Sequence, residues 1–343
     1  MDQPTTILSH MELIGQDKAK SLVERTMRSG RMPHAYVFKG PDGVGKKLFA
    51  RGLAATLNCR GETPGSACGV CSSCKKFLSD NHPDYMVIRP EKGTIKIDQI
   101  REMCRTLGYA PYESDLRVVL LEDVHTMRQE AANSLLKTLE EPPAGNLLIL
   151  TAEASQEVLT TISSRCQVIP FFGLPAEQCA ELLRQLVPVM DKEQAMLLAR
   201  LAEGSPGKAL LLHETELLSI AGKIIATVSD AGVDSNRDVG VLLKVAQELS
   251  ELKEHIPPLL GLLRLWLRDL LLIPEGGGDA YNNWQKPLVA VNPDTAHQLK
   301  SWSSEDLFAK LQAVDTAEKQ LKRNCNRTLV CEVLIFHLHG GTS

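Results

Sequence analysis

The first half of the chain alternates short, almost wholly apolar segments with amphipathic segments of helical period. Short apolar runs are typical of strands that are buried on both faces of a parallel sheet. Apolar residues at intervals of three and four, as in 97–107 and 128–139, predict helices between these strands. The pattern therefore predicts an α/β domain with a parallel sheet. The predicted strands are residues 35–38, 85–88, 117–121, 147–151 and 167–169.

Beyond residue 170 the strand pattern ends and the helical period continues. Short helices are predicted at 179–186 and 195–202. No catalytic constellation stands out in this helical part, so the candidate chemistry lies in the α/β domain. Longer amphipathic or fully apolar helices are predicted over 242–252, 259–272, 306–321 and 329–337.

The turn after the first predicted strand has the G-x-x-x-x-G-K spacing of a phosphate-binding loop. Its candidate residues are Gly40, Gly43, Gly45, Lys46 and Lys47. In such loops, backbone N–H groups and a helix N-terminus converge on a phosphate, and the lysine reaches the β- and γ-phosphates. The motif should end in Ser or Thr, whose hydroxyl holds magnesium, whereas Lys47 has only donors. The loop sequence predicts phosphate binding and argues against ATP hydrolysis. It leaves open whether the chain binds ATP.

Glu122 and Asp123 follow the third predicted strand. Acidic residues at the carboxyl end of such a strand normally hold the magnesium shell and orient the attacking water. The usual order is Asp before Glu, and its reversal here changes the reach of each carboxylate by one methylene. Because hydrolysis tolerates little misplacement, this is a second departure from an independent ATPase.

Four of the nine cysteines have the spacing C-x8-C-x2-C-x2-C in a stretch rich in Gly and Ser. Cys59, Cys68, Cys71 and Cys74 supply four thiolates, which is the ligand set of a closed tetrahedral zinc site. The stretch has little apolar content of its own, so a structural zinc ion is predicted to fold it. An iron–sulfur cluster, or redox or unrelated cysteines, are the alternatives.

Composition and charge narrow the class of protein. The chain has 343 residues, 43% of them hydrophobic, which suffices for two or three domains with their own cores. A net charge of −4 argues against wholesale coating of nucleic acid, although a local basic surface can still touch a backbone. We find no signal pattern and no apolar run of about 18 residues, so we expect a cytoplasmic protein with no membrane contact. The cysteines are then thiols or metal ligands rather than disulfides.

Several short motifs occur together along nearly the whole chain. They are Pro33-His34-Ala35-Tyr36, the four cysteines, His82-Pro83-Asp84, AANSLLKTLEEPP at 131–143, Ser164-Arg165-Cys166 and Asn324-x-Asn326. Their combination resembles the delta-prime family of bacterial DNA polymerase III clamp-loader subunits. The resemblance implies an AAA+ RecA-like parallel sheet with a zinc-binding insertion, a small helical lid and then an all-α collar. The implied ranges are 1–170 for the sheet domain with the zinc module at about 59–74, 171–212 for the lid and 213–343 for the oligomerising collar.

The same resemblance implies a role as a stator. The family keeps the arginine of Ser-Arg-Cys, so Arg165 is implied as an arginine finger donated in trans to the ATP site of a neighbouring motor subunit. The implied partners are the gamma/tau and delta clamp-loader subunits, the sliding clamp and primed DNA. The implied cofactors are structural zinc and, at most, weakly bound or non-hydrolysed ATP. Polymerase activity would belong to the holoenzyme and not to this chain.

Two alternatives remain open. One is an ATP-hydrolysing motor subunit of the gamma/tau kind. The family's motors have Thr at the end of the loop and an arginine near the lid's Gly-Ser, whereas this chain has Lys47 and Gly204-Ser205-Pro206-Gly207. Residues 152–154 also depart from the usual polar sensor. The other alternative is a zinc-dependent nucleic-acid-binding module, for which only Lys75, Lys76 and Phe77 lie beside the cysteines.

Overall fold

The structure is a computed structural model of the chain. It describes residues 9–61, 65–154, 158–229, 235–271, 302–323 and 325–340. Asn324 and residue 272, the end of one predicted helix, lie outside the described residues. The chain divides into two compact units, residues 1–186 with 204–207 and residues 187–203 with 208–343, and each is described by itself.

Five parallel strands form a single sheet in the first unit. They are β1 (Ala35–Lys39), β2 (Tyr85–Ile88), β3 (Arg117–Leu121), β4 (Asn146–Ala152) and β5 (Gln167–Pro170), and they lie in the order β2-β3-β4-β1-β5. Lys39 and Ala152, the last residues of β1 and β4, pair with each other, and Leu121, the last residue of β3, pairs with Leu150, so the three strands end within two residues of one another. The loops that follow them therefore meet at one edge of the sheet.

The sheet is buried on both faces because successive side chains of a strand point to opposite sides. Tyr36 and Phe38 lie in one core, and Ala35 and Val37 lie in the other. The helices of this unit are α1 (Asp17–Arg28), α2 (Lys46–Leu57), α3 (Ser72–Leu78), α4 (Ile97–Leu107), α5 (Gln129–Glu140), α6 (Thr160–Ser163) and α7 (Ala176–Leu186). On the first face α2 contributes Phe49 and Leu53 to the core, and on the second α4 and α5 pack against each other.

The second unit is helical in its described part. Trp266, in the helix Ile256–Leu271, is buried, and its ring contacts that of Trp302 edge to face with ring centroids 5.7 Å apart. Among the described residues, no helix is both long enough and apolar enough to cross a bilayer. The helices are α8 (Lys192–Leu201), α9 (Pro206–Glu214), which begins in the first unit, α10 (Leu217–Ser229), α11 (Ser235–Glu251), α12 (Ile256–Leu271), α13 (Ser304–Lys322) and α14 (Arg327–His339).

The predicted α/β architecture is confirmed. Each predicted strand is present and differs by no more than one residue at either end, and the helix predicted over 97–107 is α4. The structure adds α3, which the Gly- and Ser-rich composition of the cysteine stretch did not predict. This helix begins where the Cys71 side chain accepts a hydrogen bond from the backbone N–H of Cys74.

Candidate functional site

The phosphate-loop sequence forms the turn between β1 and α2. Gly43 and Gly45 have positive φ angles of 74° and 97°, a backbone conformation that glycine adopts without steric cost. Gly40 has no space for a side chain, because a Cβ there would lie 2.4 Å from the backbone oxygen of Phe171. The loop therefore needs its three glycines for backbone reasons alone.

Lys46 turns back onto the loop in which it stands. Its Nζ donates to the backbone oxygens of Gly40 at 2.8 Å and Pro41 at 2.6 Å, and the residue is buried. Burial lowers the pKa of Lys46, and the negative charges of Asp42 and Asp123 offset part of that effect. The ammonium that would reach a phosphate instead satisfies the loop's own carbonyl groups.

Lys47 forms an ion cluster with the acidic residues that follow β3. Its Nζ lies 2.7 Å from Oε2 of Glu122 and 3.4 Å from Oδ2 of Asp123, and Glu122 also accepts from Nε of Arg89 at 3.2 Å. Burial alone would lower the pKa of Lys47, but the hydrogen bond to Glu122 and the charges of Asp123 and Glu122 raise it above its usual range. Lys47 is therefore charged at neutral pH and forms ion pairs with both carboxylates.

Asp123 is fixed by a residue that the sequence interpretation did not select. Its φ and ψ are 54° and 51°, which a non-glycine residue rarely adopts, and its backbone N–H donates to Oγ1 of Thr151 at 3.0 Å. Thr151 is buried on β4, between β1 and β3. The sequence signal for Thr151 is a polar residue near the carboxyl end of an otherwise apolar strand, one position before residues 152–154.

The segment 204–207 lies directly against the phosphate loop. Oγ of Ser205 donates to the backbone oxygen of Asp42 at 2.6 Å, and the N–H of Gly207 donates to the oxygen of Gly43 at 3.0 Å. A Cβ at Gly207 would lie 2.8 Å from Cα of Gly43. The loop is thus hydrogen-bonded to this segment, which contains no arginine.

The arrangement does not fit a magnesium ion. Magnesium requires oxygen ligands in near-octahedral geometry, and position 47 supplies an ammonium that donates to the two carboxylates such an ion would need. The structure brings all seven residues selected from the sequence, Gly40, Gly43, Gly45, Lys46, Lys47, Glu122 and Asp123, to one edge of the sheet. Internal contacts join these residues, so the arrangement resembles a nucleotide site that lacks the ligands for a metal ion.

The four selected cysteines converge on one point. Their Sγ atoms all lie within 4.8 Å of one another, and those of Cys68 and Cys74 are 3.9 Å apart. Four thiolates around zinc at about 2.3 Å would be about 3.8 Å apart, so the donor set fits a tetrahedral zinc ion. Backbone N–H groups donate to three of the sulfurs: Gly61 and Cys68 to Cys59, Cys71 to Cys68, and Cys74 to Cys71. Such bonds favour thiolates as ligands.

The cysteine module is joined to the sheet domain by buried side chains. Cys74 and Phe77 lie in the core that covers one face of the sheet. The ring of Phe77 stacks on His82 with centroids 4.3 Å apart, and Nε2 of His82 lies 3.0 Å from Oγ of Ser73. The stretch is therefore better anchored in the core than its composition suggested, because α3 places both Cys74 and Phe77 there.

Asp84, from the His82-Pro83-Asp84 motif, is a fully buried carboxylate beside this module. It accepts from the backbone N–H groups of residues 112–114 at 2.6, 2.9 and 3.0 Å, and its Oδ1 lies 3.8 Å from Nε of Arg117. Burial opposes its ionisation, but these three N–H groups and the Arg117 charge lower the pKa of Asp84. Asp84 therefore anchors the loop between α4 and β3.

We expect Asp84→Asn to lower the free energy of unfolding by about 3 kcal/mol at pH 7, because it leaves the Arg117 guanidinium buried without its countercharge. The folded pKa of Asp84 lies below its unfolded value, so this stabilisation is present above the unfolded pKa and is lost as pH falls through the folded one. Urea unfolding at several pH values checks this: the gap to wild type should narrow below about pH 4. The exposed Asp115→Asn is the control, and an equal loss from it would contradict the assignment.

Arg165 makes its described contacts away from the phosphate loop. Its NH1 donates to the oxygen of Thr161 at 2.8 Å and to Oγ of Ser164 at 3.3 Å, and its NH2 donates to Oε1 of Glu140 at 2.5 Å. The side chain is 34% exposed. Within the described residues, its hydrogen bonds therefore go to α5, α6 and Ser164 and not to the phosphate loop.

Comparisons with known proteins cover these residues. A family model described as DNA polymerase III, delta subunit, matches residues 15–174. The DNA polymerase III subunit delta' of Bacillus subtilis is 28% identical over 326 residues, which are 95% of this chain and 97% of that protein. The delta' subunit of Pseudomonas aeruginosa is 38% identical over 184 residues, 52% of this chain and 56% of that protein. The chain is thus similar to DNA polymerase III delta' subunits, in one case over nearly its whole length.

The chain is also similar to DNA polymerase III subunits of the tau type. The Escherichia coli subunit tau is 33% identical over 220 residues, 62% of this chain but 34% of that protein. The chain thus spans about a third of the tau relatives and just over half of the Pseudomonas relative. Among solved structures, a gamma subunit-related protein of Thermotoga maritima has a TM-score of 0.46 at 20% identity, covering 94% of this chain and 98% of that one.

Proposed function

We propose that this chain is a clamp-loader subunit that does not hydrolyse ATP by itself and that acts on the ATP site of a neighbouring subunit through Arg165. One observation carries the proposal. The ammonium of Lys47 lies 2.7 Å from Glu122 and 3.4 Å from Asp123, where a hydrolysing site would need a divalent cation. The sequence alone indicates that position 47 has no hydroxyl for the cation. The contact adds that the ammonium of Lys47 occupies the two carboxylates, so it argues more strongly against the motor alternative.

The proposed partners follow from the relatives rather than from a contact in this chain. We propose that Arg165 meets the ATP site of a gamma/tau-type subunit. A delta-type subunit, a sliding clamp and primed DNA are the other proposed components. Similarity to the delta' subunits supports this set. Any polymerase activity then belongs to the assembly.

The helical unit is proposed to hold this subunit in the assembly. Leu329, Val333 and Phe336 of α14 are all exposed, and their spacing of four and three residues puts them on one face of the helix. Phe308 of α13 is also exposed. An apolar stripe of this kind suits packing against helices of neighbouring subunits. The division into a lid at 171–212 and a collar at 213–343 is part of this proposal.

The zinc site is proposed to be structural. Its four cysteines complete a tetrahedral shell and leave no position for a substrate or water. The rival nucleic-acid-binding reading loses support from the surroundings, because Lys76 forms an ion pair with Glu113 and so contributes less free positive charge. The zinc ion would therefore hold the module in place rather than take part in a reaction.

The purified chain tests the proposal directly. We expect no magnesium-dependent ATP turnover in the wild type, and we expect Lys47→Thr to strengthen magnesium-dependent nucleotide binding at least about tenfold. The substitution restores a hydroxyl and removes the ammonium that competes for Glu122 and Asp123. Calorimetric titration with nucleotide, with and without magnesium, measures the change.

The matched control is Lys47→Met, which removes the ammonium without supplying an oxygen. It should gain less magnesium dependence than Lys47→Thr. ATP turnover by the wild-type chain that disappears in Lys46→Ala would overturn the proposal and identify a motor subunit instead.

A further inference from the structure

The guanidinium of Arg165 is held by three groups from two elements. NH1 donates to the oxygen of Thr161 in α6 and to Oγ of Ser164, while NH2 donates to Oε1 of Glu140, the last residue of α5. The two terminal nitrogens are thus fixed from different sides. The backbone on either side is anchored as well, because Ile162 is buried and Cys166 packs on the same core.

We propose that Glu140 is the positioning residue of the arginine finger: it holds the guanidinium of Arg165 in the orientation in which it meets the partner's phosphate. The proposal rests on the proposed trans function of Arg165 and adds a residue to it. Glu140 itself does not touch the nucleotide.

The position of Glu140 is unfavourable unless it has such a partner. Glu140 and Glu141 stand at the carboxyl end of α5, where the helix dipole is negative and acidic side chains are disfavoured. Pro142 and Pro143 follow and prevent the helix from continuing. The positive charge of Arg165 compensates this local negative charge. The chain therefore holds an acidic side chain where helix electrostatics oppose it and directs it at the arginine.

The hydrogen-bonding capacity of arginine allows Glu140 to remain in contact while a phosphate binds. A guanidinium has five N–H donors, and the contacts of Arg165 within the described residues use three of them. The remaining donors suit the oxygens of a phosphate. A long side chain that is already oriented loses less rotamer freedom when it binds, so Glu140 raises the rate by preorganisation rather than by direct contact.

The assembled complex tests this. We expect Glu140→Gln to lower the kcat of DNA- and clamp-stimulated ATP hydrolysis by about two- to fivefold, the range of a partly exposed ion pair, with KM for ATP unchanged. The loss should shrink as ionic strength rises, because salt screens the pair. Glu141→Gln removes the same charge one residue further on and should leave kcat unchanged. A kcat for Glu140→Gln equal to wild type, in a complex that Arg165→Ala impairs, overturns the role of Glu140.

A second measurement on the free chain separates this inference from the proposed function. Nitrogen-15 NMR of arginine side chains reports how fast each guanidinium rotates, and we expect Glu140→Gln to speed the rotation of Arg165 while Glu141→Gln does not. Unchanged rotation in Glu140→Gln overturns the positioning role. If rotation responds but Arg165→Ala leaves the ATPase of the complex intact, the contact is present and the trans function is what fails.

Discussion

Arg165→Ala is expected to lower ATP turnover at the neighbouring site by about 10³-fold or more, as arginine fingers do generally. A guanidinium against the γ-phosphate neutralises charge that develops in the transition state, and its planar fork matches two phosphate oxygens at once. Alanine supplies neither charge nor donor. The fold should survive, because Arg165 is partly exposed and bonds to groups at the surface.

The measurement needs a complex in which only the site facing this subunit can hydrolyse ATP, since turnover elsewhere would hide the loss. Arg165→Lys keeps the charge without the fork and should recover only a small part of the rate. Arg184→Ala, which removes another half-exposed arginine, serves as the matched control and should leave turnover unchanged. Unchanged stimulated ATPase in Arg165→Ala would show that this arginine has no trans function.

The sheet and the placement of its acidic residues could be predicted because burial imposes a simple pattern. Strands covered on both faces are apolar throughout, so the run at 117–121 gave the bounds of β3 without knowledge of its neighbours. Parallel strands also place their carboxyl ends at one edge. Glu122 and Asp123 could therefore be assigned to the same region as Lys46 and Lys47 from the sequence alone.

The contacts that decide the chemistry could not be predicted, because they join residues far apart in the chain. The absence of a hydroxyl at position 47 was visible, but not that the ammonium would lie against Glu122. The hydrogen bond between Thr151 and Asp123 depends on β4 lying between β1 and β3. The pairing of Glu140 with Arg165 depends on how α5 ends beside α6. No local pattern contains this information.

The cysteine stretch shows a third case, in which local composition misdirected the interpretation. Gly and Ser indicated a stretch held by metal alone, but α3 places Cys74 and Phe77 in the core of the sheet domain. The carbonyl oxygen of Phe77 also accepts a 2.5 Å hydrogen bond from Arg51 of α2. The metal and the core therefore stabilise the same short segment, so loss of the metal should also destabilise the core.

Removing the zinc ion is accordingly expected to open the module around α3 and to destabilise the sheet domain. Structural zinc contributes on the order of 10–16 kcal/mol of apparent binding free energy, which exceeds what Cys74 and Phe77 gain by burial. We expect wild-type protein to carry a single zinc ion and Cys74→Ser to lose it, with fast hydrogen exchange over residues 67–78 and a lower melting temperature. Metal analysis and exchange mass spectrometry measure both effects.

Cys325→Ser is the matched control, because Cys325 is exposed and lies outside the four-cysteine cluster. It should keep the zinc ion and the protection of α3. If the purified wild-type protein contains iron and sulfide, the four thiolates bind an iron–sulfur cluster instead of zinc. Full zinc content in Cys74→Ser would contradict the assignment of the site itself, since Cys74 contributes the most buried of the four sulfurs and a serine hydroxyl is a poor substitute for a thiolate ligand.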